Sequence, residues 1–86
     1  MKTTLITGGS RGIGKAIALD LGKLFNVSVG YSSSKDSAEE VVEQIVKSGG
    51  TAIAVQIDIT SSESIESAFT AVEKEYGGID VLINNA

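Results

Sequence analysis

The segment TTLITGGSRGIG, residues 3–14, decides the fold of this chain. Its first five residues are apolar or β-branched and run into a pair of glycines, a pattern typical of a buried β-strand. From Ile13 as far as Leu24, apolar residues recur at three- and four-residue steps, which predicts an amphipathic helix. The segment therefore predicts a strand and a helix joined by a tight, glycine-rich turn.

The glycine turn favours binding of a phosphate group. Gly8 can turn tightly without Cβ strain, Gly12 lets a pyrophosphate approach the backbone, and Gly14 permits close packing of the helix on the strand. Unpaired N–H groups and the positive end of the helix dipole attract an anion there. The spacing G-x-x-x-G-x-G lacks Gly-Lys-Ser/Thr, which disfavours a nucleotide-hydrolysing phosphate loop. The alternative is that the glycines serve the turn alone.

The rest of the chain continues the alternation of strands and helices. Apolar or β-branched runs predict three further strands, at residues 27–31, 52–59 and 79–83. Helical spacing predicts a helix in each interval, and Gly49-Gly50 and Gly77-Gly78 are expected to end the second and third helices. Thr60 and Glu63 form a capping-box pattern that is expected to open the third helix.

This order predicts an α/β fold, a doubly wound parallel sheet of the Rossmann type with helices on both faces. The four strands are expected in the order 3-2-1-4, with the sheet truncated after the fourth. Ligands of such sheets bind in the crevice beyond the carboxyl ends of the strands, where the strand order reverses. Gly8-Gly9 and Asn84-Asn85 follow strands 1 and 4, so we expect both pairs at that crevice.

Composition excludes several classes of function. The 86 residues are 42% apolar and 21% charged, which suits one small globular domain. The net charge of −4 predicts no nucleic-acid or membrane partner. The absence of Cys and His excludes thiolate and imidazole metal sites and a histidine base. The first residues carry neither a secretory signal nor a membrane span, which predicts a cytoplasmic location.

Residues after the second strand favour NADP over NAD. An NAD site normally presents an acidic residue there to bind the ribose diol, whereas this chain has Ser32 and Ser33. Both serines can donate to a phosphate without repelling it, and the planar guanidinium of Arg11 could reach a 2′-phosphate. The alternative is that Arg11 is a solvated loop residue and the serines a turn and helix cap.

Polar residues also occur at the ends of two other predicted strands, and the sequence leaves two possible roles for each of them. Asp58 closes an apolar run and should meet a hydrogen-bond donor, either an adenine amino group or a backbone amide of the following helix. Asn84 and Asn85 can bridge neighbouring loops or contact a cofactor ribose.

With Thr7-Gly8-x-x-x-Gly12-x-Gly14, Asp58 and Asn84-Asn85-Ala86 in order, the chain resembles the short-chain dehydrogenase/reductase family, and within it the NADPH-dependent 3-oxoacyl-acyl-carrier-protein reductases. The resemblance spans all 86 residues and implies an oxidoreductase with a carbonyl or hydroxyl substrate. It implies that the cofactor's phosphates are held by Gly8, Ser10, Arg11, Gly12, Ile13 and Gly14, its 2′-phosphate by Ser32 and Ser33, its adenine by Asp58 and Ile59, and its nicotinamide-side ribose by Asn84 and Ala86.

The resemblance also implies a longer parent protein. Family members carry a catalytic serine and a Tyr-x-x-x-Lys pair beyond Asn-Asn-Ala, and these 86 residues contain neither. Tyr31 and Lys35 match the Tyr-x-x-x-Lys spacing by accident, since Tyr31 lies at a strand end. We therefore expect residues 1–86 to be the N-terminal part of a single dinucleotide-binding domain whose catalytic C-terminal part is absent. The alternatives are a stand-alone nucleotide-binding module without catalysis and a scaffold that binds nothing.

The fourth strand predicts self-association. Val81-Leu82-Ile83 would be an unpaired apolar edge if the sheet ended there, and such edges invite pairing with another chain. We therefore expect a homo-oligomer.

Overall fold

The structure is a computed structural model that describes residues 1–85. Strands and helices alternate along the chain, as the sequence predicts. The elements are β1 (Thr3–Thr7), α1 (Gly12–Leu21), β2 (Asn26–Tyr31), α2 (Lys35–Lys47), β3 (Thr51–Gln56), α3 (Ser62–Tyr76) and β4 (Val81–Asn84).

The four strands form one parallel sheet in the order β3-β2-β1-β4, which confirms the predicted topology. β1 lies in the interior, and all five of its residues are buried. Successive side chains of a strand point to opposite faces of the sheet, so Leu5 and Ile6 contribute to different layers. The strand order reverses between β1 and β4, and this places the predicted crevice at the carboxyl end of β1.

Helices cover both faces of the sheet, so the fold is doubly wound. One buried cluster joins β1 and β2 to α1 and α2, and it comprises Ile6, Ala18, Val27, Val29, Ala38, Val41 and Ile45. The other lies beneath α3 and comprises Leu5, Val55, Ile57, Ala68 and Val72. Among the helices of residues 1–85, none has the length and apolar character needed to cross a membrane.

A chain of polar contacts fixes the register of all four strands at the amino edge of the sheet. The hydroxyl of Thr51 donates to Asn26 Oδ1 at 2.6 Å, and Asn26 Nδ2 donates to Thr3 Oγ1 at 3.3 Å. The N–H of Thr3 then donates to the carboxylate of Asp80 at 2.8 Å, just before β4. Because the register is fixed at the amino edge, the carboxyl ends of the four strands are aligned with one another. The predicted site residues lie at those ends.

Three predicted elements are shorter in the structure. β4 spans Val81–Asn84 instead of residues 79–83. β3 ends at Gln56 instead of Ile59, because its partner β2 ends at Tyr31, the residue paired with Gln56. α1 ends at Leu21, and the chain turns back towards β2 through a bond from the N–H of Phe25 to the Leu21 carbonyl at 2.8 Å. Leu24 lies in that turn and is 71% exposed, so the prediction that it continues the apolar face of the helix was wrong.

The predicted capping box was also wrong. Ser61 is the N-cap of α3, and its hydroxyl accepts from the N–H of Ser64 at 3.2 Å. Thr60 does not cap the helix because its N–H and hydroxyl both donate to Asp58. The glycine stops were predicted correctly, since Gly49 and Gly77 follow α2 and α3 with φ of +94° and +87°.

Candidate functional site

The glycine turn between β1 and α1 adopts the conformation that its glycines predict. Gly8 and Gly12 have φ of +64° and +61°, a region that favours glycine. A Cβ on Gly14 would overlap the carbonyl oxygen of Gly8 and lie 2.6 Å from Asn85 Nδ2. A Cβ on Gly12 would meet no atom within 4 Å. Gly14 therefore permits close packing against β1, while the backbone at Gly12 is open to an approaching ligand.

The N-terminus of α1 is free of side-chain caps. Arg11 is the N-cap residue, its backbone is extended, and its side chain makes no capping hydrogen bond. The first turn contains no acidic residue. The N–H of Lys15 donates to the Arg11 carbonyl at 3.2 Å, so the amides of residues 12–14 precede this first helical bond. This end of α1 offers N–H groups and a positive dipole to an anion.

Hydrogen bonds from β4 hold the glycine turn in place. The hydroxyl of Thr7 accepts from the N–H of Asn85 at 2.9 Å and donates to Asn84 Oδ1 at 3.0 Å. Asn85 Nδ2 lies 3.4 Å from the carbonyl oxygen of Gly8, to which it donates. Both asparagines thus bridge β4 to β1, the first of the two interpretations that the sequence left open. The sequence analysis includes Thr7 in the glycine motif but gives it no role, although its hydroxyl at the end of a buried strand was a signal for one.

A second contact joins the glycine turn to the end of β2. Nη2 of Arg11 donates to the hydroxyl of Ser34 at 3.3 Å, across 23 positions of the sequence. Ser34 is the N-cap residue of α2 but makes no side-chain capping bond. Ser32 and Ser33 are exposed in the same loop. The prediction placed Arg11 near Ser32 and Ser33, whereas its hydrogen-bond partner in the structure is Ser34.

A cavity of about 330 Å³ brings several of the predicted residues together. It lies at the carboxyl ends of β1, β2 and β3. Its lining comprises Thr7, Gly8, Ser32, Ile57, Asp58 and Ile59. Ile57 was not predicted as a site residue, and it is buried in the cluster beneath α3.

Two larger cavities, of about 520 and 580 Å³, lie along α3 instead. Their linings contain none of the predicted site residues, and both include Glu63, Ser67 and Ala71. We regard the smaller cavity as the candidate site, because it adjoins the glycine turn and is lined by the ends of three strands.

Asp58 is an exposed carboxylate held by its neighbour. Oδ1 of Asp58 accepts from the hydroxyl of Thr60 at 2.6 Å and from the N–H of Thr60 at 2.9 Å. These two bonds, the hydroxyl first, hold the pKa of Asp58 below its ordinary value, and desolvation opposes them weakly. The predicted protein donor was a backbone amide of the following helix, whereas the donors in the structure are the N–H and the hydroxyl of Thr60, two residues before α3. The carboxylate is ionised at neutral pH.

The other predicted residues lie at the glycine turn or beyond the described part of the chain. Ser10 is buried, whereas Ile13 is 73% exposed at the start of α1. Ala86, predicted to contact the ribose, lies outside the described residues.

Neither tyrosine completes a catalytic pair at this site. Tyr31 ends β2, as the sequence analysis expected. Tyr76 ends α3, where burial raises its pKa and the nearby Thr51 hydroxyl partly lowers it again. Thr51 begins β3, so Tyr76 lies at the amino edge of the sheet, opposite the cavity.

The family model described as short chain dehydrogenase matches residues 2–86. The chain belongs to the short-chain dehydrogenase family. It is 43% identical over 86 residues to the 3-oxoacyl-[acyl-carrier-protein] reductase FabG of Staphylococcus epidermidis, covering 99% of this chain and 35% of that relative. It is also 43% identical to the short-chain dehydrogenase/reductase homolog YusS of Bacillus subtilis, of which it covers 79%. This chain thus spans about a third of the length of FabG and most of the length of YusS.

Solved structures agree with this membership. A dehydrogenase/reductase from Sinorhizobium meliloti 1021 superposes with a TM-score of 0.94 at 41% identity, with 99% of this chain and 34% of that one covered. The angucycline C-6 ketoreductase LanV, solved with bound NADP, superposes with a TM-score of 0.87 at 39% identity. That match covers 99% of this chain and 36% of LanV. The similarity to these short-chain dehydrogenases therefore lies in one portion, about a third, of each solved chain.

Proposed function

We propose that this chain is the NADP(H)-binding part of a carbonyl reductase or alcohol dehydrogenase of the short-chain type. The observation that carries the proposal is the contact of Arg11 with Ser34. It brings a guanidinium from the glycine turn to the end of β2, where Ser32 and Ser33 stand in place of an acidic residue. A planar, permanently charged guanidinium beside hydroxyl donors suits a phosphate dianion.

The remaining geometry fits a dinucleotide. The open backbone at Gly12 and the uncapped amides of α1 suit the pyrophosphate. The cavity lined by Ser32, Asp58 and Ile59 suits the adenosine end, with the exposed Ile59 side chain offering apolar surface to a base. In this proposal Ser10, Ile13 and Gly14 complete the phosphate site, and Asn84 and Ala86, the latter outside the described residues, are assigned to the second ribose. The cofactor, when bound, supplies hydride transfer.

Titration with NADPH and NADH tests the proposal. We expect the folded chain to bind NADPH more tightly than NADH, and Arg11→Ala to weaken NADPH binding about tenfold or more while changing NADH binding little. Lys23→Ala is the matched control, because it removes an exposed positive charge beyond the other end of α1. Equal losses for the two nucleotides would contradict a 2′-phosphate role for Arg11. A folded chain that binds neither nucleotide would contradict the whole proposal.

The finer assignments belong to the same proposal. The similarity to FabG supports 3-oxoacyl-acyl-carrier-protein reductase as the activity of a longer parent, with residues 1–86 as the N-terminal part of its dinucleotide-binding domain. A carbonyl or hydroxyl substrate and a cytoplasmic location follow from that assignment. An NADPH-oxidation assay with a 3-oxoacyl thioester checks it: we expect turnover by a protein that includes the Tyr-x-x-x-Lys pair and none by this chain.

A second candidate is a stand-alone nucleotide-binding module without catalysis. One observation favours it: the chain covers 79% of the B. subtilis homolog YusS. Both candidates predict nucleotide binding. They differ in whether the gene product that contains this sequence reduces a carbonyl compound.

A further inference from the structure

The side chain of Gln56 extends the pairing of β2 and β3 by one residue. At the end of the two strands, the N–H of Ile57 donates to the carbonyl of Tyr31 at 2.8 Å. One residue further along the chain from Tyr31, the carbonyl of Ser32 accepts from Nε2 of Gln56 at 3.3 Å. Gln56 therefore attaches the first residue of the serine loop, residues 32–34, to the end of β3.

The serine loop is held at both of its ends, by side chains from two different parts of the fold. Gln56 binds its first residue, and Nη2 of Arg11 donates to the hydroxyl of its last residue, Ser34, at 3.3 Å. Ser33 lies between these two contacts and is exposed. In the part of the chain that the structure describes, the N–H of Ser33 has no protein acceptor. The middle residue of the loop is thus held in place while its own donors remain available to a ligand.

The contact with Gln56 also sets the direction of the Ser33 N–H. The carbonyl of Ser32 and the N–H of Ser33 belong to one planar trans peptide, in which they point in opposite directions. Because the carbonyl is directed at Gln56, the N–H points away from it. β1 and β3 flank β2 on opposite sides, so Arg11, in the turn after β1, and Gln56, at the end of β3, approach the loop from opposite sides.

We propose that Gln56 is a positioning residue of the 2′-phosphate site, which fixes the Ser32–Ser33 peptide so that the N–H and hydroxyl of Ser33 donate to the phosphate that Arg11 binds. This inference rests on the proposed NADP(H) function. The lining of the candidate cavity includes Ser32 but not Gln56, so Gln56 acts through the loop and not by contact with the nucleotide. Without Gln56 the peptide is free to rotate and to turn its carbonyl oxygen towards the phosphate, which repels it.

The variant Gln56→Met tests the proposal, because it keeps an unbranched side chain of similar length and removes the amide donor. We expect NADPH binding to weaken about three- to tenfold, the usual effect of losing one hydrogen bond, while NADH binding stays unchanged because NADH has no 2′-phosphate. Gln44→Met is the matched control: it makes the same change at an exposed glutamine of α2 and should leave the binding of both nucleotides unchanged. Urea denaturation checks that both variants fold as stably as the wild type.

Nuclear magnetic resonance of the Ser33 amide gives a readout that a merely structural role of Gln56 would not change. We expect NADPH to move this amide proton downfield, since a charged acceptor strengthens its hydrogen bond, and NADH to leave it in place. In Gln56→Met the difference between the two nucleotides should shrink, whereas in Gln44→Met it should persist.

The outcomes separate this inference from the function on which it rests. If Gln56→Met weakens both nucleotides equally, or neither, while Arg11→Ala still weakens NADPH selectively, the role of Gln56 is overturned and the proposed function stands. A wild-type protein that binds neither nucleotide, or that prefers NADH, overturns both the role of Gln56 and the assignment of a 2′-phosphate site.

Discussion

The N–H of Asn85 donates to the hydroxyl of Thr7 at 2.9 Å, joining two residues that lie 78 positions apart in the sequence. The same hydroxyl donates to Asn84 Oδ1. Thr7 therefore connects the end of β1 to both asparagines at the end of β4. The glycine turn begins at the next residue. The Thr7 hydroxyl thus helps to fix the position of the turn relative to β4, together with the bond from Asn85 Nδ2 to the Gly8 carbonyl.

Replacing that hydroxyl should destabilise the domain. Thr7→Val keeps the shape and burial of the side chain but leaves the N–H of Asn85 and Oδ1 of Asn84 without their partner. We expect the free energy of unfolding to fall by about 1–3 kcal/mol, the usual effect of removing one member of a part-buried hydrogen bond. Urea denaturation followed by circular dichroism measures it. Thr70→Val on the exposed face of α3 is the control and should change stability by less than about 0.5 kcal/mol. Equal stability of the two variants would contradict the role given to Thr7.

The close contact at Gly14 predicts a steric effect. Gly14→Ala places a methyl group against the Gly8 carbonyl and Asn85 Nδ2, so α1 must move away from β1. We expect a loss of about 1–3 kcal/mol in unfolding free energy, as for other overpacked sites. Nucleotide binding should weaken as well, because the amides of α1 shift.

Gly78→Ala provides the comparison, since a Cβ there would meet no atom within 4 Å. This change should be neutral or slightly stabilising, because alanine has fewer conformations than glycine in the unfolded chain. If thermal unfolding ranks the two variants in the reverse order, the packing assigned to Gly14 is incorrect.

The lowered pKa of Asp58 predicts a dependence of stability on pH. Below its ordinary value of 3.8, the folded state keeps this carboxylate ionised while the unfolded state takes up a proton. The contribution of Asp58 is therefore complete at neutral pH and is lost as pH falls through the folded-state pKa. Asp58→Asn should flatten the acidic limb of the stability curve. Urea denaturation between about pH 2 and pH 6 checks this, since the window must span the unfolded value.

Asp20→Asn is the control for this experiment, because it removes an exposed carboxylate from α1 instead. An unchanged pH profile for Asp58→Asn would mean that the bonds from Thr60 do not persist in solution.

Local patterns were sufficient for most of the architecture. Apolar spacing identified each strand and helix, and the alternation of elements implied the parallel order that the structure confirms. The glycine stops at Gly49 and Gly77 were also predictable, because a left-handed residue after a helix is a local requirement. The family resemblance was confirmed by the match over residues 2–86.

Sequence reasoning missed the N-cap of α3 and the end of β3. Competition for hydrogen bonds explains the first, and the length of the pairing strand explains the second. Thr60 fits a capping pattern by spacing, yet Asp58 accepts both of its donors and Ser61 caps α3 in its place. β3 could have extended to Ile59 by composition, but a strand ends where its partner does, at the pairing of Gln56 with Tyr31.

The sequence by itself determined which segments form strands and helices and where the glycine turn falls, since these depend on residue spacing and backbone freedom within a few positions. The tertiary structure alone decided that Arg11 meets Ser34, that Thr7 holds Asn84 and Asn85, and that Gly8, Ser32 and Asp58 share one cavity. Those contacts join residues at least 23 positions apart. Their partners are selected by the packing of whole elements, and packing leaves no local pattern in the chain.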